Sequence, residues 1–122
     1  MRLNYAIVFV ADMPRSVAFY RDVMGLPLRF ESPEWTEFAT EGATLALHKA
    51  RAPAHGALGE PPAGSCRPGL NVPDLDAFHR RMQEHGVTCT RPPTASFGAR
   101  IAEYLDPDGL GVSVGETRPG RA

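Results

Sequence analysis

Cysteine is nearly absent from this chain of 122 residues: only Cys66 and Cys89 occur. Two cysteines make no disulfide framework, so the expected setting is a reducing cytoplasm, with both thiols serving as small strand residues. Long hydrophobic runs are missing as well. The longest, Ala6–Ala11, falls far short of the ~20 residues that cross a bilayer. The chain runs straight into that stretch, so no signal peptide is expected. Charge of one sign is lacking too. Thirteen lysines and arginines stand against fourteen acids, for a net charge of −1. The basic residues are scattered, which argues against a nucleic-acid or membrane partner.

Glycine and proline are plentiful, with twelve of each. They crowd into "RAPAHGALGEPPAGSC" (Arg51–Cys66), which has no apolar period and reads as a linker. The length suits one domain. The organisation expected within it is module one at 1–50, a linker at 51–65, module two at 66–116 and a loose tail at 117–122.

Each module reads the same way. In the first, strand "LNYAIVFV" leads to Asp12, a good helix N-cap, with Pro14 in the first turn. Val17, Phe19, Tyr20, Val23 and Met24 recur at helical spacing and Gly25 closes the helix. Strands "LPLRFES", "WTEFAT" and "ATLALHKA" follow, the last two joined by the turn Thr40–Ala43. The second module starts with "CRPGLNV", capped by Asp74. Its helix turns Leu75, Phe78 and Met82 inward and stops at Gly86. Strand "VTCTR" and the hairpin "RIAEYLDPDGLGVSV", with its turn at Asp106–Gly109, complete it. Val10–Asp12–Met13 matches Val72–Asp74–Leu75 at an offset of 62 residues. The chain is an internal repeat of strand–helix–strand–strand–strand.

These pieces, "VADMPRSVAFYRDVMGLPL", "VPDLDAFHRRMQEHGV" and "YLDPDGLGVSV", taken in order, resemble the vicinal oxygen chelate superfamily. That group includes glyoxalase I, bleomycin-resistance proteins and extradiol dioxygenases. The resemblance implies an α+β fold of two paired βαβββ modules, whose eight strands form a half-open barrel around a ligand cavity. It also implies a homodimer.

Strand alternation sorts the side chains into two faces. Tyr5, Ile7 and Phe9 share the cavity side of the first strand. If the Thr40–Ala43 turn closes its hairpin, Glu37 lies opposite Ala46 and Trp35 opposite His48. Phe38, Leu45 and Leu47 then go to the core. The second module offers Arg67, Gly69, Asn71, Glu103, Ser113 and Gly115 to the cavity, with Tyr104, Val112 and Val114 in the core. Small residues at Ala39, Ala46 and Gly69 suggest space left open.

The resemblance further implies four metal positions, two on first strands and two on last strands, usually filled by histidine or glutamate. They fall here on Tyr5, Ala46, Arg67 and Ser113. None of these is a histidine or a carboxylate, and Arg67 adds positive charge where a cation would sit. No metal or other cofactor is therefore expected. The less favoured alternative is a divalent metal held by His48, Glu37 and Glu103. His79 and His85 are expected to be solvated, and His55 lies in the linker. The cavity offers chemistry for holding a small molecule instead. Tyr5, Phe9 and Trp35 supply flat walls. Arg67 can grip a carboxylate or phosphate, while His48, Asn71, Glu37 and Ser113 set orientation. The leading expectation is metal-independent binding of a small aromatic or acidic compound. The alternative is a glyoxalase-type lyase or isomerase, with Glu37 or Glu103 as catalytic base.

Overall fold

A computed structural model describes residues 3–51, 66–96 and 98–116. The stretch 52–65, with His55, and the tail 117–122 lie outside the described residues. Two compact units divide the chain, Met1–Gly56 and Ala57–Ala122.

The first unit contains β1 (Tyr5–Val10), α1 (Met13–Ala18), β2 (Leu28–Glu31), β3 (Trp35–Phe38) and β4 (Thr44–Lys49). Its sheet has the order β1-β4-β3-β2. β1 runs parallel to β4, and the other neighbours are antiparallel. Asp12 starts the helix as expected, its carboxylate accepting from the Arg15 N–H at 3.0 Å. The helix then widens into a π turn over Phe19–Val23, where the Met24 N–H donates to the Phe19 carbonyl at 2.9 Å. The extra residue in that turn rotates the buried face. Phe19, Tyr20 and Met24 go into the core, while Val23, expected inward, is only half-buried. Gly25, at φ 90°, ends the element in a conformation glycine adopts without strain.

The second unit repeats the plan with β5 (Gly69–Val72), α2 (Leu75–Glu84), β6 (Cys89–Ser96), β7 (Ala99–Leu105) and β8 (Gly111–Glu116). The order β5-β8-β7-β6 is that of the first sheet, again with its outer pair parallel. Asp74 caps α2 by accepting from the Ala77 N–H at 3.0 Å. Leu75 and Met82 are buried and Phe78 is half-buried.

Both hairpins form where the turn residues place them. The Thr40 hydroxyl accepts from the Gly42 N–H at 3.1 Å and donates to the Ala43 carbonyl. Asp106, only 5% exposed, receives the N–H groups of Asp108 and Leu110 at 2.9 and 2.8 Å. The registers follow: Glu37 pairs with Ala46, Trp35 with His48 and Glu103 with Ser113. Phe38, Leu45, Leu47, Tyr104, Val112 and Val114 are all buried.

Two strands differ from expectation. β5 starts at Gly69, so Cys66 and Arg67 precede the strand instead of lying in it. β6 continues past Arg91 through Pro92 and Pro93 to Ser96. It is the edge strand of its sheet, where a missing N–H costs no ladder bond, and its register shifts on either side of Arg91.

Candidate functional site

One face of the first sheet carries an aromatic row laid across three strands. β1 supplies Tyr5 and Phe9, β3 supplies Trp35 and β4 supplies His48. Tyr5 meets Trp35 edge-on at 6.0 Å between ring centres, and Trp35 meets His48 at 6.0 Å and 87°. Phe9 lies 5.2 Å from His48. A Ser32–Trp35 turn anchors this row: the Ser32 hydroxyl donates to the Trp35 carbonyl at 2.6 Å and accepts from its N–H at 3.1 Å. The His48 Nδ1 stands 2.8 Å from the Lys49 carbonyl. A carbonyl only accepts, so Nδ1 carries the hydrogen and Nε2 remains the acceptor. Tyr5 and Phe9 are 45% and 63% exposed, which fits a surface awaiting a partner better than a filled core.

Glu37 occupies the centre of this face, and three donors converge on it. The Trp35 indole N–H donates at 2.8 Å, while the Arg29 guanidinium donates from Nε at 3.2 Å and from Nη2 at 2.8 Å. Arg29 Nη2 also donates to the Thr44 hydroxyl at 2.6 Å. The indole N–H first, and the guanidinium next, hold the Glu37 carboxyl below the usual carboxylate range. Arg29 was not among the expected site residues. No turn read from the sequence had set the register of β2 against β3, where Leu28 pairs with Phe38 and, past a bulge, Phe30 pairs with Glu37.

The second sheet has a polar face. Glu103 pairs across the ladder with Ser113, as Glu37 does with Ala46, and so holds the equivalent place. Arg67 donates to it from Nη1. Gly69 and Asn71 on β5 pair with Ser113 and Gly115 on β8, which brings the expected polar set onto one sheet. The guanidinium of Arg67, expected to be buried, is 36% exposed because it precedes the strand. Of the small residues expected to leave space, Gly69 has nothing within 4 Å of the position a Cβ would take. Ala46 is wholly buried, so the space beside it is already filled.

His79 also differs from expectation. Instead of being solvated it is half-buried, its Nδ1 2.9 Å from the Tyr104 hydroxyl. Tyr104 is wholly inside the core, and a buried phenol needs a partner. Burial, with a smaller contribution from Cys89, pushes that phenol up to about 12. This pair accounts for His79 structurally, whereas His85 is exposed.

Among the described residues, no three histidines, cysteines or carboxylates come together in a way that suits a metal ion. Tyr5, Ala46, Arg67 and Ser113 do not fit a divalent cation. Glu37 and Glu103 already hold guanidinium groups, so the alternative donor set is engaged elsewhere. A groove of about 550 Å³ in the first unit lies between Ala11–Pro14, Glu31–Pro33 and Lys49, and no expected site residue lines it.

Residues 2–114 match the model of the Glyoxalase/Bleomycin resistance protein/Dioxygenase superfamily. Among solved structures, a protein of unknown function from Agrobacterium tumefaciens str. C58 is 27% identical with a TM-score of 0.78, covering 97% of this chain and 95% of that one. A glyoxalase/bleomycin resistance protein/dioxygenase from Alicyclobacillus acidocaldarius is 14% identical with a TM-score of 0.76, over 93% and 89% of the two chains. Lactoylglutathione lyase from Agrobacterium tumefaciens is 22% identical with a TM-score of 0.73, over 93% and 92%. A search of curated protein sequences finds no significant match. No helix among the described residues is long and apolar enough to cross a membrane. With its repeated βαβββ plan and a family match that spans nearly its whole length, the chain belongs to the glyoxalase/bleomycin resistance/dioxygenase superfamily.

Proposed function

We propose that this protein binds a small aromatic or acidic compound without a bound metal, as a cytoplasmic homodimer. One observation carries the reading: Arg67, at a position where metal-dependent relatives are expected to place a ligand, is paired with Glu103. A fixed guanidinium there repels a cation and attracts a ligand's carboxylate or carbonyl oxygen. The aromatic row supports the same reading, since Tyr5, Phe9 and Trp35 are flat surfaces with exposed area left to cover. Proton abstraction is the weaker role for Glu37, because three donors stabilise its anion and so lower its basicity. Apolar side chains on an edge strand of the first sheet, Leu28 and Phe30 on β2, supply surface for a second chain.

The test is a screen of flat aromatic acids and oxygenated natural products, read through the fluorescence of Trp35, the only tryptophan. A bound compound should lose about 1.5–3 kcal/mol of affinity on Arg67→Ala, the range for a charge-assisted hydrogen bond. Trp35→Ala should weaken a compound seated on the aromatic row, with the fold intact by circular dichroism. If no compound perturbs the signal, the binding reading fails. Light scattering that finds a monomer at micromolar concentration would remove the dimer.

A further inference from the structure

Arg29 is held more firmly than a surface arginine of a strand edge needs to be. Glu37 accepts from two of its nitrogens, at 3.2 and 2.8 Å, and Thr44 accepts from Nη2 at 2.6 Å. Those contacts fix the guanidinium plane, which is a rigid fork of five N–H groups. Among the described residues no protein acceptor takes the hydrogens of its Nη1, and the side chain is 47% exposed. The carboxylate that holds it also accepts the Trp35 indole N–H, through its other oxygen, at 2.8 Å. Indole and guanidinium are thus tied to opposite sides of one carboxylate. Their bonded nitrogens are no farther apart than that group plus two hydrogen bonds. A flat apolar ring and an unspent pair of cationic N–H donors stand side by side on one sheet face, with Tyr5 set edge-on to the ring.

We propose that Arg29 is an oxyanion seat in the first unit. Its ligand class is an aryl carboxylate, whose ring lies against Trp35 and Tyr5 while its carboxylate accepts an Nη1 hydrogen of Arg29. Glu37 is a positioning residue: it touches no ligand, and it neutralises the inner edge of the guanidinium while holding both recognition groups in place. The Thr44 hydroxyl fixes the same fork from the β4 side. This seat rests on the small-molecule binding reading and adds to it a second arginine, with a preference for acid over amide. A charge-assisted hydrogen bond from Nη1 favours a carboxylate over a neutral carbonyl.

The experiment titrates the intact protein with 2-naphthoate and with its neutral counterpart 2-naphthamide. Binding is followed through the indole N–H signal of Trp35 in nitrogen-correlated NMR spectra. The acid should move that signal saturably and bind about tenfold more tightly than the amide, the scale of one charge-assisted hydrogen bond. Arg29→Gln should erase the preference, Arg29→Lys should restore part of it, and Arg21→Gln on the helix should leave it unchanged. Glu37→Gln should displace the indole signal in the free protein and reduce the preference. Equal affinity for acid and amide, a preference that survives Arg29→Gln, or no response to the acid would each overturn the seat. If other compounds in the fluorescence screen still bind, only the seat falls. If none binds, the binding reading falls with it.

Discussion

The two units share a strand order and differ in what they put on it. At equivalent places the first has Tyr5, Glu37 and Ala46, and the second has Arg67, Glu103 and Ser113. One face is aromatic and the other polar, yet each centres on a glutamate held by an arginine. The arginines come from different parts of the plan, Arg29 from β2 and Arg67 from just before β5. The glutamate position is therefore the fixed element of the design, and its cationic partner has been supplied twice by different routes.

The cores differ in the same manner. Phe38 and Tyr104 hold matching places beside Ala46 and Ser113 in their ladders, and Val17 matches His79 on the helices at the 62-residue offset. The first unit packs an apolar pair where the second makes a hydrogen bond of 2.9 Å. Phe38→Tyr should therefore cost about 1–3 kcal/mol, because its hydroxyl finds no imidazole. Tyr104→Phe should cost less, and adding Val17→His to Phe38→Tyr should recover part of the loss. Urea denaturation measures all three, and equal costs for Phe38→Tyr and Tyr104→Phe would break the comparison.

Helix starts form the next contrast. Glu116 accepts from the Leu75 N–H at 2.9 Å and lies 3.8 Å from Arg100, which also grips Asp76 at 2.8 Å. At the matching end of β4, Lys49 instead donates to the Ala11 carbonyl. A carboxylate complements a helix N-terminus, whereas a lysine cannot. Glu116→Ala should cost about 0.5–2 kcal/mol, and Lys49→Met less. The reverse ranking in thermal melts would contradict this reading.

Acid sharpens the comparison more gently. Arg100 lowers the Asp76 carboxyl, chiefly through their hydrogen bond, as Trp35 and Arg29 lower Glu37. Folded values below the unfolded ones mean that the unfolded chain takes up protons first. Stability is then full above the ordinary carboxylate range and declines as pH falls below about 4. Both pairs are partly exposed, so the effect is modest and shrinks in salt. Asp76→Asn and Glu37→Gln should each flatten the acid limb of stability against pH, and an unchanged limb would refute the assignment. The smallest effect belongs to Ser16, whose buried hydroxyl has no partner among the described residues and whose place in the second unit is taken by Phe78. Ser16→Ala should stabilise by about 0.5–1 kcal/mol, and a loss of stability would show that the hydroxyl has a role.

Much of this was legible because hairpin turns set register. Thr40–Ala43 and Asp106–Gly109 were enough to pair Glu37 with Ala46 and Glu103 with Ser113. What escaped the sequence depends on irregular backbone. The π turn moved Val23 off the buried face, and no turn had fixed the register of β2, which carries Arg29. Pro92–Pro93 argued against a strand that exists because it is an edge. His79 had a signal available: Tyr104, read as core, required a hydrogen-bond partner, and none had been assigned.

The central claim is that a guanidinium paired with a carboxylate, Arg67 with Glu103, stands where relatives are expected to place a metal ligand. It is tested most directly by measuring the metal content of protein purified without chelator and dialysed. The account predicts zinc, nickel, manganese and iron far below one equivalent, with unchanged stability when chelator is added. A full equivalent of any of these, lost on His48→Ala or Glu37→Gln, would contradict it.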